Sequence, residues 1–150
     1  MPSEFTQTRL VEFAETDMAG IVHFANYFYW MEACELAFYR SLDLPLINFF
    51  PGQVSGWPRV NVSCEFHAPF RFGDTIQVQL LVQKIGTRAI TYAFRFRKMM
   101  NGAVEPAVLA RGTITAVCVS GSIEGGMVAH AIPPDVRAKF TEASVGQLGR

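Results

Sequence analysis

Residues 25–42 read ANYFYWMEACELAFYRSL, and this stretch decides the fold. It contains neither Gly nor Pro, and apolar side chains cover most of its helical circumference. Glu32 and Glu35 share one helical stripe, because residues three apart lie on the same face. The stretch therefore predicts a helix that other elements must wrap. The two carboxylates are expected on its solvent-exposed or dimer-facing side.

Outward from this helix, the apolar residues alternate with polar ones, which is typical of half-buried strands. The predicted strands are Phe5–Phe13, 60–66, 76–83, 90–97 and Val108–Val119. Turns are predicted at 69–74, 85–87 and 101–102, a loop at 43–58, and a short helix from Pro134 to about Ala143 after a Gly-rich tail.

A long apolar helix and one antiparallel sheet have an economical solution, in which the sheet wraps the helix. The fold expected is α+β: a hot-dog fold, with a long central helix wrapped by a curved antiparallel sheet of about five strands. No linker divides the chain, so residues 1–150 are expected to form a single domain. The open edges of the sheet favour pairing between protomers.

Composition limits the classes of partner. The 150 residues carry 13 Lys and Arg against 13 Asp and Glu, so no basic field favours nucleic acid. Cys34, Cys64 and Cys118 form no C-x-x-C pair, so no metal site is indicated. No leader and no apolar run of about 18 residues is seen, which predicts a cytoplasmic protein without a membrane span. Thirteen Phe exceed what a small monomer usually conceals, so a homodimer or homotetramer is expected.

A candidate site precedes the helix. Asp17 stands in a loop with Gly20, seven residues before Phe24, where the helix is predicted to begin. The free backbone N–H groups of a helix N-terminus stabilise an oxyanion, and a nearby carboxylate attacks a carbonyl or activates water. This arrangement indicates acyl transfer or hydrolysis. The alternative is that Asp17 only caps its own turn.

This segment resembles hot-dog acyl-CoA thioesterases, particularly the 4-hydroxybenzoyl-CoA thioesterase group and its tol-pal-associated relatives. Their pattern is roughly D-x-D-x-x-G-x-V-x-x-x-x-Y. Here it is matched by Thr16-Asp17, Gly20, Val22 and Tyr27, with Glu15 in place of the first Asp. The order of the strands agrees with that family across nearly the whole chain.

The resemblance implies roles for particular residues. Asp17 would be the catalytic carboxylate, as nucleophile or general base, and the backbone N–H of Phe24 would polarise the thioester carbonyl. Gly20 and Tyr27 would contribute to substrate binding at a site between two protomers. Many relatives carry a His at the position of Phe24, so His23 is either catalytic or a pocket residue. No cofactor is implied.

Coenzyme A carries three phosphate groups, so its site needs cations. The resemblance places basic residues after the turn at 85–87, which makes Arg88 the candidate. Arg95 and Arg97 share the outer face of their strand, where a solvated face is expected over phosphate contact. His67 and His130 are assigned no role.

The function expected is hydrolysis of an acyl-CoA with an aromatic or short acyl group. Two alternatives stay open. One is a hydratase or dehydratase on the same fold, although no G-H-F-P-like motif opens this helix. The other is an acyl-binding module without catalysis.

Overall fold

The computed structural model describes residues 1–48, 50, 52–122 and 124–149, so positions 49 and 51 of the predicted loop lie outside the described residues. Its strands are β1 (Glu4–Leu10), β2 (Val54–Gly56), β3 (Arg59–Phe66), β4 (Thr75–Ile85), β5 (Ala89–Met100), β6 (Ala103–Val117), β7 (Val119–Ser122) and β8 (Gly126–Ala129). Its α-helices are α1 (Ala25–Ser41), α2 (Pro134–Arg137) and α3 (Val145–Leu148), and Phe13–Glu15 forms a 3-10 helix.

The main sheet confirms the predicted hot-dog fold. Its five antiparallel strands run in the order β1-β4-β5-β6-β3, and α1 packs against one face of the sheet. The helix buries Trp30, Met31, Cys34 and Phe38, each at most 1% exposed. The face of the helix that carries these residues packs on the sheet, whereas Tyr29 and Leu36 on the opposite side stay exposed, so the helix is wrapped less completely than the sequence predicts.

Gly112 of β6 lies directly under this helix. A Cβ atom at this position would collide with the sulfur of Met31 and would sit 3.2 Å from the Ser63 carbonyl oxygen. The absence of a side chain allows α1 to approach the sheet closely. Gly112 therefore fixes the distance between helix and sheet at the centre of the core.

The expectation for Glu35 was wrong. Glu32 is exposed, but Glu35 is buried at 1% exposure and forms an ion pair with Arg59, the first residue of β3. Arg59 Nη1 also donates to Glu35 Oε2 at 3.3 Å. Burial raises the pKa of the Glu35 carboxyl, and the Arg59 charge opposes this rise. Glu35 can lie in the core because the guanidinium of Arg59, on the sheet, compensates the charge of its carboxylate.

The C-terminal segment differs from the prediction. Instead of a plain Gly-rich tail, β7 and β8 form a hairpin that pairs with β2 in a second sheet. The predicted helix ends at Arg137, and α3 follows. Val136 and Phe140 are buried in the core, so this segment contributes to the packing of the fold.

The expectation of a solvated face was also wrong at Arg95, because the outer face of the sheet is covered at this residue. It is 4% exposed, and its guanidinium donates to the carbonyl oxygens of Gln147, at 2.8 Å, and Leu148. The C-terminal end of α3 thus folds back over the outer face of the sheet, and its carbonyl groups stabilise the positive charge of Arg95.

Some strand boundaries also move. β1 ends at Leu10, three residues before the predicted Phe13, because the chain turns into the 3-10 helix. β6 begins at Ala103 and not at Val108, directly after a turn in which Asn101 and Gly102 have positive φ. Within the described ranges, no helix is long and apolar enough to cross a bilayer.

Candidate active site

The loop before α1 is a tight reversal. The Asp17 N–H donates to the Ile21 carbonyl at 2.9 Å, and the Gly20 N–H donates to the Asp17 carbonyl at 3.0 Å. Gly20 has φ 78°, a conformation that favours glycine over residues with a side chain. The Val22 N–H donates to the Phe70 carbonyl at 2.9 Å, which ties the loop to the segment before β4. These bonds hold Asp17 beside the start of the helix.

The Asp17 carboxylate is exposed and only partly engaged. Its Oδ1 accepts a hydrogen bond from the Ala19 N–H at 2.8 Å, so the side chain does cap its own turn. Its Oδ2 has no hydrogen-bond partner within the described residues. Capping by one oxygen fixes the carboxylate and leaves the other oxygen available for chemistry.

The first turn of α1 presents one free donor. The Ala25 N–H donates to His23 Nδ1 at 3.2 Å, and the N–H of Asn26 donates to the His23 carbonyl at 3.0 Å. Tyr27 donates its N–H to the Phe24 carbonyl at 3.2 Å. The Phe24 N–H has no partner in the described part of the chain, and it lies at the positive end of the helix dipole. It can therefore donate to an oxyanion.

His23 has a structural contact that the sequence does not reveal. Its Nδ1 accepts from the Ala25 N–H, and its ring stacks on Phe24 with centroids 4.7 Å apart. While this bond persists, Nδ1 cannot serve as a base. A catalytic role for His23 stays a prediction, and only Nε2 would be free for it.

Two clefts meet at Asp17. The first, which we call the Phe66 cleft, has a volume of about 380 Å³. It is lined by Asp17, Ile21, Val22, Phe24, Tyr27, Phe66, His67, Ala68 and Pro69. The second, the Tyr29 cleft, measures about 780 Å³ and is lined by Phe13, Ala14, Thr16, Asp17, Met18, His23, Ala25, Asn26 and Tyr29. Asp17 is therefore accessible from an apolar cleft on one side and a wider one on the other.

Tyr27 forms a wall of the Phe66 cleft. Its ring meets Phe66 and Phe96 edge to face, with centroids 4.9 and 5.3 Å apart. Burial raises the pKa of Tyr27 to about 12, so its hydroxyl is protonated at neutral pH. The predicted substrate-binding residue thus contributes a rigid aromatic surface.

Glu15, which replaces the first Asp of the family pattern, secures the loop. Its Oε1 accepts from the Glu12 N–H at 2.8 Å, and its Oε2 accepts from the Trp30 indole N–H at 2.8 Å. Arg9 lies 3.8 Å from the same Oε2. The sequence analysis gave Glu15 no role, although its place in the pattern was a signal. It connects the segment before Asp17 to the body of α1.

Arg88 is exposed in the turn between β4 and β5. The Asp17 loop lies near Thr75, at the other end of the eleven-residue β4, so the two are roughly 30 Å apart in one protomer, at about 3.3 Å per residue. The structure does not bring Arg88 and Asp17 together within one chain.

A further cation near Arg88 escaped the sequence analysis. The Arg137 guanidinium donates to the carbonyls of Gly86 and Thr87, in the same turn. Lys84, Thr87 and Arg88 line a cleft of about 320 Å³ there. Only tertiary folding brings Arg137, fifty residues along the chain, to this turn.

Across the described residues, no group of three or more His, Cys, Asp or Glu side chains could hold a metal ion. The groups that this site offers for chemistry are a carboxylate, a backbone N–H and an apolar cleft.

Comparisons with known proteins identify related sequences. A family model described as "Thioesterase superfamily" matches residues 19–102. A 1,4-dihydroxy-2-naphthoyl-CoA hydrolase from Nostoc punctiforme is 33% identical over 121 residues, which cover 79% of this chain and 76% of that protein.

Solved structures share the fold. A 1,4-dihydroxy-2-naphthoyl-CoA thioesterase from Synechocystis superposes with a TM-score of 0.76 at 23% identity, covering 91% of this chain and 94% of that one. A 4-hydroxybenzoyl-CoA thioesterase variant in complex with 4-hydroxybenzoyl-CoA gives a TM-score of 0.74 at 18% identity, covering 91% and 97% of the two chains. At these identities the likeness shows the fold alone.

Proposed function

The chain belongs to the thioesterase superfamily, as its resemblance predicts, and we propose that it hydrolyses aromatic acyl-CoA thioesters with Asp17 as the catalytic carboxylate. The observation that carries the assignment is that Asp17 and Phe24 line one apolar cleft, and that the Asp17 Oδ2 and the Phe24 N–H have no partner among the described residues. The relatives named 1,4-dihydroxy-2-naphthoyl-CoA hydrolase support the aromatic class.

The Phe24 N–H would donate a hydrogen bond to the developing oxyanion. In one route Asp17 removes a proton from water while the water oxygen bonds to the thioester carbon. The C–S bond then breaks, and the thiolate of coenzyme A takes that proton. In the other route Asp17 attacks the carbonyl itself, coenzyme A leaves as a thiolate, water hydrolyses the resulting anhydride, and the thiolate takes a proton from that water. Both routes yield a free acid and coenzyme A.

A panel of benzoyl-type, short-chain and palmitoyl CoA thioesters, monitored by release of free thiol, tests this function. We expect the highest kcat/KM for aromatic acyl groups, because the rings of Phe24, Tyr27 and Phe66 line the cleft and favour flat ligands. A clear preference for palmitoyl-CoA would contradict the aromatic assignment. Binding without thiol release would favour the acyl-binding module, and addition of water to an enoyl-CoA would favour the hydratase.

We further propose that residues 1–150 form one thioesterase domain that works as a homodimer or homotetramer in the cytoplasm. The three cysteines are free thiols, which suits a reducing compartment. β3 is an edge strand with exposed Val60, Val62 and Phe66, and Met18 beside Asp17 is fully exposed. A second protomer would cover these apolar groups and enclose Asp17.

The active enzyme should therefore be at least a dimer in light scattering. Replacing Val62 with Lys should weaken association, because it places a charge on the open edge of β3. The matched control is Val128→Lys, at a more exposed position on β8 in the other sheet. A fully active monomer would contradict the proposal.

Arg88 would bind the phosphates of coenzyme A bound at another protomer's Asp17, since it lies far from its own. Arg88→Ala should raise KM for acyl-CoA several-fold and change kcat little, because a contact made equally in ground and transition states is uniform binding. The effect should shrink with the same acyl group on N-acetylcysteamine, which lacks the nucleotide. Lys139→Ala removes an exposed charge that does not line this cleft and should leave KM unchanged. Equal losses on both thioesters would rule out phosphate binding by Arg88.

A further inference from the structure

The end of β3 carries an irregularity that points at the Phe66 cleft. The backbone N–H groups of His67 and Ala68 both donate to the Leu109 carbonyl oxygen, at 2.9 and 3.1 Å. Two successive donors on one acceptor are the hydrogen-bonding pattern of a β-bulge. Bulges redirect a side chain and are frequent beside active sites. Here the bulge places His67 among the residues that line the Phe66 cleft.

His67 is a polar group in an otherwise apolar setting. Of the nine residues that line the Phe66 cleft, only Asp17, Tyr27 and His67 carry an ionisable side chain. Asp17 is assigned to the chemistry, and Tyr27 is 3% exposed within an aromatic cluster. The His67 side chain is 45% exposed. His67 is therefore the polar side chain of this cleft that can bind a ligand while Asp17 stays free for the reaction.

One ring nitrogen of His67 is available. Nε2 lies 4.0 Å from Oε2 of the exposed Glu65, two residues earlier in the chain. Nδ1 has no hydrogen-bond partner within the described residues. An imidazole nitrogen either donates to or accepts from a hydroxyl, so the side chain suits a hydroxyl in either orientation.

We propose that His67 is a specificity-determining residue that hydrogen-bonds a hydroxyl group on the aromatic ring of the acyl moiety, so that the enzyme selects hydroxylated over unsubstituted rings. This inference rests on the proposed thioesterase function. A ring hydroxyl that enters an apolar cleft loses its bonds to water and needs a partner there. His67 supplies that partner, while Phe24, Tyr27 and Phe66 contact the ring itself.

The test compares 4-hydroxybenzoyl-CoA with benzoyl-CoA, which differ only in the hydroxyl group. We expect wild type to favour the hydroxylated thioester in kcat/KM by about tenfold or more, the size of one hydrogen bond in a partly exposed site. His67→Phe should bring this ratio close to one, chiefly through KM for the hydroxylated substrate. His67→Gln, which keeps a hydrogen-bonding group, should retain part of the preference.

The matched control is His130→Phe, an exposed histidine that lines neither cleft, and it should keep the wild-type ratio. The circular dichroism spectrum and melting temperature of each variant establish that it is folded. If wild type shows no preference, or if His67→Phe lowers kcat/KM equally for both thioesters, the inference is wrong. Those outcomes leave the thioesterase assignment intact, since that assignment fails only when neither thioester releases thiol or when Asp17 is dispensable.

Discussion

Asp17→Asn should lower kcat by at least about 10²-fold while the protein stays folded, which is the low end for removing a general base. The amide keeps the size of the side chain, and its oxygen can still accept from the Ala19 N–H, so the loop should hold its conformation. What disappears is the negative charge that attacks the thioester or removes a proton from water. Steady-state thiol release with an aromatic acyl-CoA measures the loss.

The control for this variant is Asp135→Asn, which makes the same chemical change on an exposed residue in the first turn of α2. It should keep wild-type kcat. A folded Asp17→Asn protein with kcat within threefold of wild type would remove Asp17 from the reaction. The capping of its turn would then be its whole role.

Arg59→Met should destabilise the fold by about 3 kcal/mol, the low end for removing one partner of a buried ion pair. Glu35 would be left at 1% exposure without the guanidinium that compensates its charge. For a chain of this size the melting temperature should fall by roughly 6–12 °C. Arg40→Met, at an exposed position near the end of α1, should change it little.

Two further measurements separate charge from packing at this pair. The double variant Arg59→Met, Glu35→Leu should recover most of the lost stability, because apolar groups of similar volume replace buried pairs at little cost. If neither the double variant nor a lower pH restores the stability, Arg59 stabilises the fold by packing alone.

The pH dependence has a defined sign. Burial already raises the pKa of Glu35, and loss of Arg59 removes the charge that opposes this rise. A folded state with the higher carboxyl pKa binds more protons than the unfolded state between the two pKa values, so its stability increases as the pH falls through that range. The difference in unfolding free energy between wild type and Arg59→Met should therefore become smaller as the pH is lowered from neutral to about pH 5.

The central helix and the main strands could be predicted from sequence because their signals are local. Residues 25–41 contain no Gly or Pro, and apolar and polar residues alternate over most of β4 and β5. The spacing of the apolar residues and the turn residues between the elements therefore predict them. The β7–β8 hairpin was missed because its glycines and serines favour a loop by composition. Its pairing with β2 is a long-range contact that composition does not encode.

In the candidate site, too, the local features could be predicted from sequence and the long-range ones could not. Asp17 and the Phe24 N–H lie on one continuous segment, so spacing alone predicts that they are close. Arg137 reaches the Arg88 turn only through the folded C-terminal segment, and the direction of His67 depends on a bulge opposite Leu109. Glu35 was misplaced for this reason as well, since a helical stripe carries no information about Arg59 on β3.

Gly112 has a consequence for the evolution of substrate range. Met31 lies over Gly112, and Tyr27, one helical turn earlier on the same face, forms a wall of the Phe66 cleft. A side chain at position 112 would force Met31 to move and would alter the packing of the helix face that carries this wall. A substitution at position 112, which lines neither cleft, is therefore expected to change which acyl groups fit without replacing any residue of the cleft itself.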